Sequence, residues 1–208
     1  MRPILGRTGL FAAVATPIHG DGRFDEAGFD RLVEFLVGAG VDGICIGGAT
    51  GEYPHFETAD RKAVIRRAGE RLPPDRTLLV GIGSSSTRGS IELGQAAIAA
   101  GSGALLLPMP MFFRYQQEDL LVFATHVSRA LRAPCLLYDL PDFTNGLSPA
   151  TVLSLLRDEE FIVGIKDSSR DFPRFLNTLQ AIKPQRPEFS CMIGCEEILF
   201  PALFMGGD

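Results

Sequence analysis

The 208-residue sequence lacks the marks of several protein classes. Its four cysteines form no C-x-x-C pair, and a chain of this length needs no disulfide staples, so we expect reduced thiols and a cytoplasmic protein. Its three histidines are scattered, with no second histidine at ligand spacing, which disfavours a zinc site. The sequence has no basic run and a formal net charge of -5. Nucleic acids and anionic membranes are therefore not expected partners.

Long hydrophobic runs are missing too, and none approaches the length of a membrane span. The first apolar stretch, at 10–15, follows residues 1–7 and is shorter than the apolar core of a signal peptide. It predicts a buried strand. No long stretch rich in glycine, serine or proline divides the chain, which predicts one domain over residues 1–208.

What the sequence contains is a series of short apolar runs, spaced roughly 25 to 35 residues apart, the length of one βα unit. They lie at 10–15, 43–46, 78–82, 104–107, 135–138, 162–165 and 189–193. None alternates polar with apolar residues, which predicts strands that are buried on both faces, as in a parallel sheet. Helical patterns follow the runs at 25–37, 58–72, 87–100, 117–131, 148–156, 171–182 and 196–205.

Seven strands that are each followed by a helix predict an α/β fold, either a (β/α) barrel or a doubly wound sheet. A complete (β/α)8 TIM barrel typically needs about 250 residues. The pattern therefore indicates either an open seven-stranded sheet or a TIM barrel without its last βα unit and C-terminal helices. The motifs described below favour the barrel.

In both folds, ligands bind at the carboxyl ends of the strands. Lys166 ends the sixth apolar run, an unusual position for a lysine. Burial lowers the pKa of a lysine amine, and a neutral amine is the nucleophile that forms a Schiff base with a ketone. The alternative is a salt bridge with Asp167, Asp139 or a glutamate. Tyr138 ends the preceding run, and its phenol either moves a proton to and from a carbinolamine on Lys166 or simply lines the barrel.

Two other strand ends are rich in glycine. Segment 47–52 carries one hydroxyl group, on Thr50, and its free amides together with that hydroxyl can bind a carboxylate, although a tight βα turn explains the same residues. Gly81-Ile82-Gly83 lacks the lysine of a phosphate-binding loop, so we expect no phosphate site there. Carboxylates also follow the strands, which leaves a magnesium-dependent aldolase as an alternative. They are Glu52, Asp139, Asp167 and Glu196.

Four motifs resemble those of the dihydrodipicolinate synthase and N-acetylneuraminate lyase family, in order and with matching spacing from about residue 10 to residue 208. They are Gly48-Ala49-Thr50-Gly51-Glu52, Tyr138-Asp139-Leu140-Pro141, Gly164-Ile165-Lys166-Asp167 and Gly194-Cys195-Glu196-Glu197. The resemblance implies a (β/α)8 barrel that forms a Schiff base between a lysine and pyruvate or another 2-keto acid. Such enzymes then make or break a carbon–carbon bond, or dehydrate the substrate, without a cofactor or metal. They are commonly homotetramers built from dimers, so the resemblance also implies self-association.

The resemblance implies a role for each of eight residues. Lys166 forms the Schiff base, and the phenol of Tyr138 moves the proton. The backbone amides of Ala49 and Thr50, with the Thr50 hydroxyl, hold the pyruvate carboxylate. Four more residues are placed to bind the substrate and its hydroxyl groups, namely Ser168, Gly194, Glu196 and Glu197.

Three positions depart from the pattern of the family's synthases. Ala49 replaces a hydroxyl residue, and Phe112 stands where a neighbouring subunit contributes a tyrosine; both changes remove a hydroxyl from one proton relay. Phe143 aligns with an arginine that receives the second carboxylate of the synthase substrate, and an apolar group cannot replace that cation. We therefore expect an aldolase that joins or separates pyruvate and an aldehyde, acting on a 2-keto-3-deoxy sugar acid. A dihydrodipicolinate synthase, a dehydratase, an aromatic-aldehyde hydratase-aldolase and a non-catalytic 2-keto-acid-binding relative stay open.

Overall fold

The computed structural model describes residues 9–208, which form two compact units, Gly9–Leu106 and Leu107–Asp208. The prediction of one domain over residues 1–208 stays a prediction, and the N-terminal residues weighed above as a targeting segment, 1–7, lie outside the described residues. Among the described residues, no helix is long and apolar enough to cross a membrane. All four cysteines are buried and free of disulfide bonds.

The first unit is built from parallel strands joined by helices. Strands β1 to β4 pair in parallel in chain order within residues 9–106, with Phe11 opposite Gly43, Gly43 opposite Thr77, and Leu79 opposite Ala104. The strands are β1 (Phe11–Ala13), β2 (Gly43–Ile46), β3 (Thr77–Gly81) and β4 (Ala104–Pro108), and the helices are α1 (Glu26–Gly38), α2 (Thr58–Arg71) and α3 (Thr87–Ala99). Strands β2, β3 and β4 are buried along their whole length, as their continuous apolar runs predict.

The second unit continues the same alternation. Strands β5, β6 and β7 pair in parallel, with Tyr138 opposite Lys166 and Lys166 opposite Met192. The strands are β5 (Cys135–Asp139), β6 (Ile162–Asp167) and β7 (Ser190–Ile193), and the helices are α4 (Gln117–Leu131), α5 (Pro149–Asp158), α6 (Phe172–Ile182) and α7 (Leu199–Phe204). Polar caps start two of these helices, because the Ser148 hydroxyl accepts from the amide of Thr151 and the Asp171 carboxylate accepts from that of Arg174.

The alternation of seven strands and helices confirms the predicted α/β class. The predicted helix at 196–205 is wrong at its start: a short 3-10 turn, Glu196–Ile198, precedes α7. Pro201 explains the break, because in a helix that began at Glu196 its missing N–H would leave the Glu197 carbonyl unpaired. In α7, Pro201 falls in the first turn, where no intrahelical donor is needed. Strand β1 is also shorter than the predicted run at 10–15, and the prediction that it is buried is wrong, because Phe11 and Ala12 are half-buried and Ala13 is exposed.

Candidate active site

Lys166 and Tyr138 lie opposite each other near the carboxyl ends of two neighbouring parallel strands. The register of β5 and β6 pairs the two residues directly. The Lys166 amine donates to the Tyr138 phenol, with Nζ 3.4 Å from Oη, and Nζ also lies 4.4 Å from the centroid of the tyrosine ring. Tyr138 is buried and Lys166 is partly exposed. The amine and the phenol are therefore close enough to exchange a proton through a small movement or one bound reactant.

Gly194 leaves the space that the end of the Lys166 side chain occupies. It follows β7, and its amide donates to the carbonyl of Asp167 at 2.8 Å. A Cβ atom built on Gly194 would lie 2.7 Å from Cε of Lys166, and closer still to the hydroxyl oxygen of Ser168. Ser168 is itself fixed, because its amide donates to the carbonyl of Asp139 at 2.8 Å. Gly194, Ser168 and Lys166 thus form one close-packed cluster.

A buried carboxylate follows Tyr138 on β5. Asp139 forms an ion pair with Arg174 of α6, with 2.5 Å between Oδ2 and Nη2, and its other oxygen accepts from the amide of Leu147 at 3.1 Å. Burial raises the pKa of Asp139 to about 6, and the positive charge of Arg174 offsets only part of that effect. Asp139 is thus already paired with Arg174, which argues against a salt bridge between Asp139 and Lys166. The pair also ties the loop after β5 to helix α6, because Arg174 donates to the Leu147 carbonyl as well.

The two glutamates after β7 are exposed, and one of them is paired. Glu197 Oε1 lies 3.3 Å from Nε of Arg170, whose Nη1 also donates to Asp142 at 2.9 Å. Arg170 has a φ of +60°, so its backbone lies in the left-handed region. The sequence reasoning missed Arg170. It could have been found as a basic residue in the loop after β6, the strand that carries Lys166. Glu196 begins the 3-10 turn.

Of the three residues expected from the resemblance to depart from the synthase pattern, the two phenylalanines are exposed. Phe112 is 92% exposed with a φ of +76°, and Phe143 is 68% exposed. Asn145 joins the loops that carry them, because its side-chain amide donates to the carbonyls of Pro110 at 2.7 Å and Phe113 at 2.8 Å. Asn145 was also missed from the sequence. A single asparagine in a loop is common and gives no signal of its partners.

Ala49 and Thr50 lie in the first unit, in a turn directly after β2. The turn is closed by two backbone bonds, from the Gly51 amide to the Gly48 carbonyl at 3.1 Å and from the Glu52 amide to the Ala49 carbonyl at 2.9 Å. Thr50 is exposed and Ala49 is partly exposed. Within residues 9–208, the amides of Ala49 and Thr50 donate no hydrogen bond to the protein. The turn therefore offers two free donors and one hydroxyl, as the carboxylate role requires.

The predicted site residues thus fall into two groups. Within Leu107–Asp208 the structure brings Lys166, Tyr138, Ser168 and Gly194 together, and Glu196 and Glu197 follow them in the chain. That Ala49 and Thr50 serve the same substrate stays a prediction. Within residues 9–208, no group of three or more histidine, cysteine or acidic side chains could hold a metal ion.

Comparisons with known proteins give a consistent result. The profile of the Dihydrodipicolinate synthetase family matches residues 7–208. The crystal structure of YagE from Escherichia coli K12 in complex with pyruvate is 31% identical, with a TM-score of 0.93 over 97% of this chain and 68% of that one. YagE is a prophage protein that belongs to the dihydrodipicolinic acid synthase family. The structure of 2-keto 3-deoxygluconate aldolase from Picrophilus torridus is 28% identical, with a TM-score of 0.90 over 96% of this chain and 71% of that one.

A synthase also matches the chain. The 4-hydroxy-tetrahydrodipicolinate synthase of Salinibacter ruber is 30% identical over 96% of this chain and 66% of its own length. The chain spans about two thirds of the length of the curated relatives that it matches. The similar structures confirm the predicted fold class, because they are (β/α)8 barrels, and residues 9–208 contain seven of the strands.

Proposed function

Because the chain belongs to the dihydrodipicolinate synthetase family, we propose that it acts as a Schiff-base lyase on 2-keto acids. It makes or breaks the carbon–carbon bond between pyruvate and an aldehyde, and its substrate is a 2-keto-3-deoxy sugar acid. The observation that carries the proposal is the 3.4 Å contact between the Lys166 amine and the Tyr138 phenol. A lysine nucleophile beside a proton-carrying phenol is the pair of groups that Schiff-base chemistry needs.

The chain's own groups account for each step. The Lys166 amine attacks C2 of the keto acid, a carbon–nitrogen bond forms, and the ketone oxygen leaves as water after Tyr138 passes it a proton. The resulting iminium draws in the electron pair of the C3–C4 bond as it breaks. The C4 hydroxyl gives its proton to the Tyr138 phenolate that the first step left, and the aldehyde leaves. The regenerated phenol protonates C3 of the enamine, and water then adds to the iminium, returns a proton to Tyr138, and releases pyruvate and the free amine.

The other predicted site residues have binding roles. The free amides of Ala49 and Thr50 and the Thr50 hydroxyl bind the substrate carboxylate. Ser168 and the exposed carboxylates of Glu196 and Glu197 bind hydroxyl groups of the sugar acid, and Glu197 is held for this by Arg170. Gly194 contributes by leaving space beside Lys166.

A second candidate is 4-hydroxy-tetrahydrodipicolinate synthase, which the similarity to the Salinibacter ruber enzyme favours. The residues argue for the aldolase, because Phe143 is an apolar side chain where a synthase uses an arginine to receive a carboxylate. The family resemblance further implies a cytoplasmic, self-associating protein. Sedimentation of the purified protein tests the self-association.

The experiment is to trap the Schiff base. The sequence has only three lysines, so an adduct formed with pyruvate and sodium borohydride can be assigned by intact mass and peptide mapping. We expect one reduced pyruvate on Lys166, none in Lys166→Ala, and full labelling in Lys183→Ala. Lys183 is the matched control, because it is a partly buried lysine that pairs with Asp208 at 2.7 Å.

The outcomes separate the candidate functions. An adduct together with pyruvate release from 2-keto-3-deoxygluconate supports the aldolase, whereas an adduct with formation of 4-hydroxy-tetrahydrodipicolinate supports the synthase. An adduct without turnover of either kind is the result expected of a dehydratase, an aromatic-aldehyde hydratase-aldolase or a non-catalytic 2-keto-acid-binding relative. Absence of an adduct in protein shown to be folded by circular dichroism overturns the lysine mechanism. Activity that survives in Lys166→Ala but is lost with a chelator identifies a metal-dependent aldolase.

A further inference from the structure

Arg61 is a buried cation whose partners in the structure are neutral groups. It lies on α2 and is 9% exposed. Its Nη2 donates to the carbonyl of Gly81 at 2.9 Å, its Nη1 donates to the carbonyl of Gly83, and the guanidinium lies 5.0 Å from the centroid of the Tyr53 ring. Burial lowers the pKa of Arg61 to about 10. Placing a charge there without a carboxylate costs folding free energy, so stability alone does not account for an arginine at this position.

Arg61 supports both ends of segment 47–53, which contains the turn proposed to bind the carboxylate. Gly81 supports the start of that segment, because a Cβ on Gly81 would collide with the carbonyl of Gly47. Gly47 has a φ of +63°, a left-handed conformation that favours glycine. Tyr53 ends the segment and is buried beneath the guanidinium. Arg61 therefore holds the backbone on which the segment begins and the ring with which it ends.

Other contacts also hold the segment. Thr16 donates its hydroxyl to the carbonyl of Gly51 at 2.8 Å, and the His55 amide donates to the carbonyl of Glu52 at 2.9 Å, beside the two backbone bonds of the turn itself. A cavity of about 20 Å³ lies between the guanidinium and the segment, and its wall includes Gly47, Gly51, Tyr53, Arg61 and Gly81. A shorter side chain at position 61 would enlarge this cavity, and the segment would have room to relax into it.

We infer that Arg61 is a positioning residue, which holds segment 47–53 in the conformation that presents the Ala49 and Thr50 amides to the substrate carboxylate. The inference rests on the proposed function for the carboxylate, but the positioning itself is a property of the first unit. The planar guanidinium suits this role, because its fork spans two carbonyls while its face contacts a ring. A lysine ammonium would keep the charge but could not make all three contacts.

The test compares Arg61→Lys with the wild-type chain in two measurements. In hydrogen exchange of the intact protein, peptides that cover 47–53 should exchange faster in the variant, because the bonds donated by the Gly51 and Glu52 amides open more often. In borohydride trapping, the pyruvate concentration for half-maximal adduct should rise about tenfold, while the rate at saturating pyruvate stays within about threefold. Weaker binding of the pyruvate carboxylate raises the half-saturating concentration but leaves the rate at saturation nearly unchanged.

Arg67→Lys is the matched control. Arg67 lies on the same helix, donates from Nε to Asp30 at 2.8 Å and does not touch segment 47–53 in the structure. We expect it to change the thermal midpoint while leaving the exchange of 47–53 and the half-saturating pyruvate concentration as in the wild type. If Arg61→Lys does not fold, Tyr53→Leu removes the ring contact instead and should shift both measurements in the same direction.

The outcomes are distinguishable from those of the proposed function. If the wild-type chain traps no pyruvate, the proposed function fails and the exchange of 47–53 alone decides the role of Arg61. Unchanged exchange and unchanged half-saturation in folded Arg61→Lys overturn the inference. Equal changes in Arg61→Lys and Arg67→Lys overturn it too, because they would show a general loss of stability.

Discussion

Substitution of Gly194 by alanine tests how tightly the reactive lysine is held. The new Cβ would lie 2.7 Å from Cε of Lys166, whereas ordinary contact begins at 3.4 Å, so the lysine or the glycine backbone must retreat by about 0.7 Å. Ser168 blocks the simplest relief, because its hydroxyl oxygen lies even closer to the new atom. Displacements of about 1 Å in a reacting group can cost about 100-fold in rate. We expect the rate of adduct formation to fall by about this factor.

The assay is the time course of borohydride-trapped adduct on Lys166, followed by intact mass. Overpacking costs about 1–3 kcal/mol of stability, so the variant should stay folded if the wild-type margin is ordinary. Gly20→Ala is the control, because a Cβ there meets nothing within 4 Å. Adding Ser168→Ala to Gly194→Ala should restore part of the rate, since it removes the nearer clash and leaves the one with Lys166. A folded Gly194→Ala protein with the wild-type rate would refute the close packing.

Three further changes test single side chains of the second unit. Tyr138→Phe keeps the ring but loses the phenol, so adduct formation should slow by about 10²–10⁴-fold in the trapping assay while the thermal midpoint changes little. Because the pKa of Asp139 is raised to about 6 in the folded chain against 3.8 for the free group, the folded state binds the proton more tightly. The free energy of unfolding should therefore rise by about 2 kcal/mol as the pH falls from 7 to 4, and urea titrations of Asp139→Asn should lack that rise. Arg129→Ala leaves the buried Glu159 carboxylate without the guanidinium that donates to both of its oxygens, and should cost about 2 kcal/mol by urea unfolding, against less than about 0.5 kcal/mol for exposed Arg66→Ala.

The element order could be predicted because each signal is local. A βα unit needs a short apolar run and then a helical period, and both can be counted along the chain. The strand ends that hold Tyr138 and Lys166 were predictable for the same reason, since parallel strands place their carboxyl ends on one edge. The start of α7 was not predicted, because the periodicity of 196–205 is helical and the effect of Pro201 depends on which residue begins the helix.

The supporting residues were not predictable, because their types are ordinary and their partners are distant in sequence. Arg61 has helical spacing with Val64 and Ala68 on the buried face of α2, which separates it from exposed Arg66, but this spacing gives no sign of what the guanidinium binds. Its burial follows from contacts with carbonyls 20 and 22 residues away. Arg174 is similar, because its carboxylate partner is Asp139, 35 residues earlier. Such contacts are made by tertiary packing, which a reading of periods and motifs does not include.

Gly194 shows why the chemistry and its support have to be inferred separately. Family resemblance marks the glycine as part of a substrate-binding turn, yet in the structure it packs against Ser168 and Lys166 and leaves the space that a side chain would fill. Reactive groups can be recognised by their own chemistry, because few residue types serve as nucleophile or proton carrier. A residue that supports them by leaving space has no chemistry of its own to recognise. The order of effects then follows from geometry: loss of Lys166 abolishes the adduct, a Cβ at Gly194 slows its formation, and a change at Arg61 raises the pyruvate needed for it.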